Sequence, residues 1–221
     1  MQYHWLNKQD NENLIIFFAG WSFDFKPFEF LSCEDYDVLV IYDYNNVTTS
    51  ECENFQHINN YKNKYLITWS MGVYIAYQLR NQLPKFDKKI AINGTPFPVD
   101  DEFGIPQKTF LLTLRHAKIG LEGKFYQNIF KTDEEHQKYI QTPVERTIDN
   151  RVSELNELYK IIKETPKEYI KYYDTAFVST ADKIIPSKNQ FNFWQTYGTS
   201  VQTLESGHFP YYNYTSWKDL L

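Results

Sequence analysis

The pentapeptide Thr68-Trp69-Ser70-Met71-Gly72 constrains this chain more than any other stretch of it. Before it runs Tyr65-Leu66-Ile67, a short apolar segment of the kind that is buried in a sheet. After it, Val73, Ile75, Ala76, Leu79 and Leu83 recur at helical spacing. The serine therefore stands where a strand turns directly into a helix. So sharp a turn crowds the backbone and holds its central residue in a strained conformation, which calls for small neighbours. Gly72 meets that demand on one side, while Thr68 occupies the position where a second small residue is expected.

Other apolar runs extend the pattern. Leu14–Phe18, Val38–Tyr42, Tyr65–Thr68 and Lys89–Asn93 read as strands, Thr175–Ser179 and Ser200–Leu204 as two more, and His4–Leu6 as an edge strand. Strands alternating with helices predict a doubly wound, mostly parallel α/β sheet with helices on both faces. The alternation breaks after Asn93. From about Pro96 to Lys171 the chain is helix-rich, and Glu145–Lys163 is its clearest helix. There Ile148, Val152, Leu155, Tyr159 and Ile162 mark one apolar face, and Thr165-Pro166 ends the run. The expected organisation is a core of residues 1–95 and 172–221 with a helical cap inserted over 96–171.

A serine on a strand-to-helix turn is the nucleophile elbow of the α/β-hydrolases, usually written G-x-S-x-G. Its hydroxyl attacks only when a base removes the proton, and that base is held in the correct tautomer by a carboxylate. In this fold the order along the chain is Ser, then acid, then His. His4 and His57 precede Ser70, and His116 and His136 fall in the insertion. Only His208, in Gly207-His208-Phe209-Pro210, follows the last strand, so it is the candidate base. Asp182 lies just beyond the strand that follows the insertion, whereas Asp174 opens that strand at its opposite end. As a turn former Asp182 has a second, purely structural reading. An oxyanion needs two preorganised N–H donors. The amides of Met71, next to the serine, and Trp21, in Phe18-Ala19-Gly20-Trp21, are the candidates, with the Trp21 ring as an apolar wall.

Composition narrows the alternatives. Hydrophobic residues make up 42% of 221, and aromatics 18%, which excludes global disorder and allows one large domain. A net charge of −5 argues against a general nucleic-acid binder. No apolar run approaches the roughly 20 residues that cross a bilayer. The first residues lack a basic segment followed by an apolar core, so no signal peptide and no membrane partner is expected, and the chain reads as cytoplasmic. Cys33 and Cys52 are then expected to be free thiols. There is no G-x-G-x-x-G, Walker loop, C-x-x-C or H-E-x-x-H, so neither a cofactor nor a metal is expected. Between Ile105 and Thr132, Lys108, Arg115, Lys118, Lys124 and Lys131 are accompanied by a single acid, Glu122. This basic stretch suits an acidic protein partner, or is a solvated helical face.

With those residues in place, the chain resembles the BioG-type pimeloyl-acyl-carrier-protein methyl ester esterases over nearly its whole length. The matching segments are Phe18-Ala19-Gly20-Trp21, Trp69-Ser70-Met71-Gly72-Val73, Ile92-Asn93-Gly94-Thr95-Pro96-Phe97-Pro98, Asp100-Asp101, Gly104-Ile105-Pro106 and Gly207-His208-Phe209-Pro210. Of these, the stretch from Asn93 to Pro106 is the most specific. The resemblance implies hydrolysis of the methyl ester of pimeloyl-acyl-carrier protein during biotin synthesis, releasing methanol and exposing a carboxylate. It assigns Ser70 as nucleophile, His208 as base, Asp182 as its partner, and Trp21 with Met71 as the oxyanion hole. Basic residues of the cap would meet the acyl-carrier protein: Arg115, Lys118 and Lys124, with Arg146 or Arg151 from the next cap helix. Two other readings stay open at this level. The same triad cleaves thioesters and other carboxylic esters, and a silent hydrolase fold can serve as a binding module.

Overall fold

The computed structural model describes residues 1–47 and 58–221, so Cys52 and His57 lie outside the described residues. The strands are β1 (Gln2–Asn7), β2 (Asn13–Phe18), β3 (Tyr36–Tyr42), β4 (Asn63–Trp69), β5 (Lys88–Ile92), β6 (Thr175–Ser179) and β7 (Ser200–Leu204). They form one sheet in the order β1-β3-β2-β4-β5-β6-β7. Among the described strands only the edge strand β1 runs antiparallel, with Gln2 opposite Tyr42 on β3. The remaining pairs are parallel, and Ile15 of β2 lies between Val38 and Tyr65.

Continuous apolar runs make the central strands. Leu14 to Phe18 are wholly buried, as expected of a strand covered on both faces. Strand order reverses beside β2: the chain first goes out to β3, then returns to β4 on the other side and proceeds to β7. The carboxyl ends of β2 and β4 are therefore neighbours whose connections diverge. In an open parallel sheet such a switch point leaves a crevice where ligands bind.

Helix α1 (Met71–Gln78) leaves β4 immediately and packs on β2 and β4. It is shorter than the apolar spacing to Leu83 suggests, because the chain turns after its C-cap at Leu79. Helices α2 (Gln107–Arg115), α3 (Ala117–Glu122), α4 (Phe125–Ile129), α5 (Asp133–Gln141) and α6 (Ile148–Glu164) all fall between β5 and β6. Helix α7 (Ser187–Thr196) returns to β6 and β7.

Helix α6 departs from its sequence pattern. It begins at Ile148 rather than Glu145, because the Thr147 hydroxyl caps it by accepting from the Asn150 amide at 3.2 Å. Its most buried residues are Arg151, Glu154, Leu155 and Leu158, whereas Ile148, Val152, Tyr159 and Ile162 are half-buried. The face turned to the core is thus rotated away from the apolar stripe, toward a buried ion pair.

Candidate active site

Ser70 sits at the end of β4 with φ 56° and ψ −123°, the strained turn that the pentapeptide predicts. Two contacts hold it: its amide donates to the Ile92 carbonyl at 3.0 Å, and its carbonyl accepts from the Val73 amide at 3.1 Å. The small residue after the turn is required. A Cβ on Gly72 would lie 2.3 Å from the Phe18 carbonyl oxygen, because α1 starts against the end of β2. No such demand falls on position 68. Thr68 is still within the strand, wholly buried, and its hydroxyl donates to the Ile90 carbonyl at 3.0 Å.

The three candidate residues meet above the strand ends. His208 Nε2 is 2.9 Å from Ser70 Oγ, and His208 Nδ1 is 2.8 Å from Asp182 Oδ2. All three are nearly out of solvent. Asp182 is also a turn former: Oδ1 accepts from the amides of Ile184 and Ile185 at 2.8 and 3.0 Å. Each oxygen of Asp182 thus has its own partners, His208 on one and the turn amides on the other. Asp174 lies at the far end of β6, where its carboxylate pairs with Lys89 at 3.0 Å.

Three neighbours hold this constellation in place. Gln190, wholly buried on α7, donates to Asp182 Oδ2 at 2.9 Å, supplementing the histidine on the same oxygen. Asn93, at φ 46°, donates to the carbonyl of His208 at 2.9 Å and to Ser179 Oγ at 2.8 Å, and accepts from the Ser179 amide at 2.7 Å. It ties the ends of β5 and β6 to the histidine loop. The indole of Trp69 donates to the same His208 carbonyl at 2.8 Å. Sequence reasoning quoted Asn93 without giving it a role and missed Gln190. An Asn-Gly pair directly after a strand signals a left-handed residue, which Asn tolerates. Nothing local singles out the glutamine.

The loop after β2 lies against the serine: a Cβ on Gly20 would come 3.1 Å from Ser70 Cβ. Among the described residues, neither the Trp21 nor the Met71 amide has an acceptor within the protein. For Met71 this follows from its place in the first turn of a helix, where amides lack intrahelical partners. The Trp21 ring is 8% exposed, meets Phe125 edge to face at 4.9 Å, and donates its N–H to the Arg151 carbonyl at 2.8 Å. Much of the aromatic content forms the packing behind the site. Phe23 meets Trp69 at 4.7 Å, and Trp69 meets Phe209 at 5.6 Å.

The basic residues divide. Arg115, Lys118 and Lys124 are exposed, and Lys118 is 3.2 Å from Asp149. Arg146 and Arg151 are not available to a partner, which corrects their expected place in a docking surface. The Arg146 side chain is 6% exposed, 2.9 Å from Glu154 and 3.2 Å from Asp43. Arg151 is buried, with its guanidinium on the Tyr126 hydroxyl. A cation that deep is retained by its partners, because an unpaired charge inside a protein is costly. Burial pushes the Glu154 carboxyl up from its ordinary range, against Arg146 and two backbone amides that pull it down.

Comparison with known proteins agrees with the geometry. The model of the family described as pimeloyl-ACP methyl esterase BioG matches residues 1–220. The crystal structure of BioG from Haemophilus influenzae superposes with a TM-score of 0.89 at 29% identity, covering 100% of this chain and 99% of that one. A Haemophilus influenzae protein is 30% identical over 211 residues, 95% of this chain and 94% of its own length. A Bacteroides fragilis protein named malonyl-[acyl-carrier protein] O-methyltransferase is 30% identical over 197 residues, 88% of this chain. The match spans only 39% of that longer relative. An esterase from Exiguobacterium antarcticum shares the fold, with a TM-score of 0.65 at 17% identity over 93% of this chain and 87% of that one. With the α/β-hydrolase sheet in place and the family model matched from end to end, this chain belongs to the BioG family of pimeloyl-ACP methyl esterases.

Proposed function

We propose that this protein hydrolyses the methyl ester of pimeloyl-acyl-carrier protein, with Ser70 as nucleophile, His208 as base and Asp182 as the group that orients it. The observation that carries the reading is the unbroken hydrogen-bonded line from Ser70 Oγ through His208 to Asp182, at 2.9 and 2.8 Å. Ser70 Oγ attacks the ester carbonyl as its proton passes to His208 Nε2. The carbonyl oxygen becomes an anion that accepts from the Trp21 and Met71 amides. When the tetrahedral intermediate collapses, the bond to the methoxy oxygen breaks and His208 gives that oxygen the proton, so methanol leaves. A water molecule then attacks the acyl-serine, His208 again taking and returning a proton. Free carboxylate and free Ser70 result.

The name of the Bacteroides fragilis relative supports a carrier-bound methyl ester as substrate, because a methyltransferase acting on malonyl-acyl-carrier protein produces esters of that class. We take residues 96–171 as a cap over the site and α2 with α3 as the face that meets the carrier. Leu111, Leu112 and Ile119 are 43%, 48% and 70% exposed there, among Lys108, Arg115 and Lys118. Apolar side chains ringed by cations suit an acidic, amphipathic protein surface. Lys124 stands exposed just beyond α3.

The test is incubation with methyl-pimeloyl-acyl-carrier protein, following methanol release and the mobility of the carrier. The expected result is ester hydrolysis with the thioester to the carrier intact. Cleavage of the thioester instead, or normal turnover by Ser70→Ala, would overturn the reading.

A further inference from the structure

Helix α6 buries a carboxylate where an inserted helix would ordinarily bury an apolar side chain. Glu154 is 0% exposed, and its surroundings are specific. Oε2 accepts from the Ser22 amide at 3.1 Å and from Arg146 Nη1 at 2.9 Å, while Oε1 accepts from the Tyr44 amide at 2.9 Å. The same part of the chain grips the neighbouring loop three more times. The Trp21 indole donates to the Arg151 carbonyl, Arg146 donates to the Phe23 carbonyl at 3.0 Å, and Arg151 holds Tyr126, whose hydroxyl meets Ser22 Oγ at 3.0 Å.

That loop is a four-residue turn, closed by the Phe23 amide on the Gly20 carbonyl at 3.3 Å. Ser22, its third residue, has φ 70°. A turn with positive φ at that position ordinarily takes Gly or Asn, because its central peptide is flipped relative to the commoner turn. Left alone, a serine there relaxes by flipping that peptide back. The Ser22 amide is the N–H of that peptide, and Glu154 is its acceptor.

We propose that Glu154 is a positioning residue of the esterase: by holding the Ser22 amide it preserves the shape of the turn from Gly20 to Phe23, whose first peptide carries the Trp21 amide that is the proposed oxyanion donor. The inserted helices thereby act on the chemical step itself. The proposal rests on the assignment of the Trp21 and Met71 amides made above.

The experiment compares Glu154→Gln with Asp43→Asn in the full chain. Asp43 pairs with Arg146 at 3.2 Å and, among the described residues, its carboxylate makes no hydrogen bond or ion pair with Trp21, Ser22 or Phe23, so its change loosens the same fastening away from the turn. An oxyanion donor acts in the transition state alone, and losing one costs about 100- to 1000-fold in kcat. Misaiming it should cost less. For a small soluble methyl ester, Glu154→Gln should lower kcat about 10- to 100-fold with KM within about threefold. The inhibition constant of an alkylboronic acid, whose adduct with Ser70 puts an oxygen where the oxyanion forms, should rise by the same factor. Asp43→Asn should lower the thermal midpoint while kcat and boronate affinity stay near those of the parent. Should Glu154→Gln fail to fold, Glu154→Asp keeps the charge that Arg146 needs but draws the oxygens back from the amides, and carries the same expectation. Unchanged boronate affinity in the position-154 variant, or an equal kcat loss in Asp43→Asn, overturns the role of Glu154. A parent protein that the boronate does not inhibit overturns instead the esterase reading beneath it.

Discussion

Ser70 is held in its left-handed conformation by neighbours too close to yield, and most single-residue expectations follow from that crowding. Adding a methyl at Gly72 meets the Phe18 carbonyl at 2.3 Å, a backbone atom inside a buried strand. Gly72→Ala should therefore lose about 3 kcal/mol of stability or fail to fold, read from a denaturant midpoint. Ser70→Ala removes only the proposed nucleophilic oxygen, so the fold should survive while kcat falls by about 10⁴- to 10⁶-fold. His208→Ala should be as severe, and the double variant no worse than either, since the residues act as one unit. Asp182→Asn leaves one carbonyl oxygen for the Ile184 and Ile185 amides but puts an NH2 where His208 and Gln190 donate, so kcat should fall severely, though less than for Ser70→Ala. The informative contrast is Asp174→Asn at the far end of the same strand, which should leave turnover unchanged. If the ranking of the two aspartates reversed, Asp182 would not be the orienting group. Cys33 is held at about 11, pushed up by burial and by Asp37, so it should stay a thiol and alkylate slowly at neutral pH.

Among the elements, the strands were legible because each is a short apolar run that only a doubly covered sheet can absorb. Position in the chain then singled out Asp182 and His208, since just one acid and one histidine follow β6 and β7 at the right ends. Helix α6 was not legible in the same way. Apolar periodicity registers Ile148, Val152 and Tyr159 but is blind to a buried ion pair, so Arg146 and Arg151 read as surface charges. Gln190 was invisible for a related reason: its role exists only once α7 has folded back against Asp182. Helices α2 and α3 carry the docking prediction. Charge reversal at Arg115 together with Lys118 should raise KM for the carrier-bound ester and leave a small free ester unaffected. Added salt should mimic this selectivity, because rim charges act mainly on association. Equal responses from both substrates would mean the face is merely solvated.

Over the whole molecule, buried carboxylates set how stability depends on acid. For Asp43, burial raises the carboxyl, but Asn45, Arg146 and Asn150 outweigh it, leaving it below its ordinary 3.8. Asp37 is likewise low: burial is outweighed by the Gln9 amide, the Tyr61 hydroxyl and Asn11. A depressed carboxyl contributes stability that is complete above the unfolded value and lost as pH falls through the folded one. Glu154, raised above its ordinary 4.5, has the opposite sign, its contribution being lost as pH rises through its folded value. Acid unfolding should accordingly set in below about pH 4, and Asp43→Asn should flatten that limb when midpoints are measured against pH. The Phe209 amide donates to the Ile129 carbonyl at 3.1 Å, and a Cβ on Gly207 would lie 2.6 Å from the Lys131 nitrogen, so the histidine loop is backed by the end of α4. Swinging the whole insertion aside would drag His208 off Ser70. With residues 96–171 capping the site as proposed, entry is left to the part of the insertion not tied to that loop, and native-state deuterium uptake should be fast along α2 and α3 but slow at Phe209 and through α6.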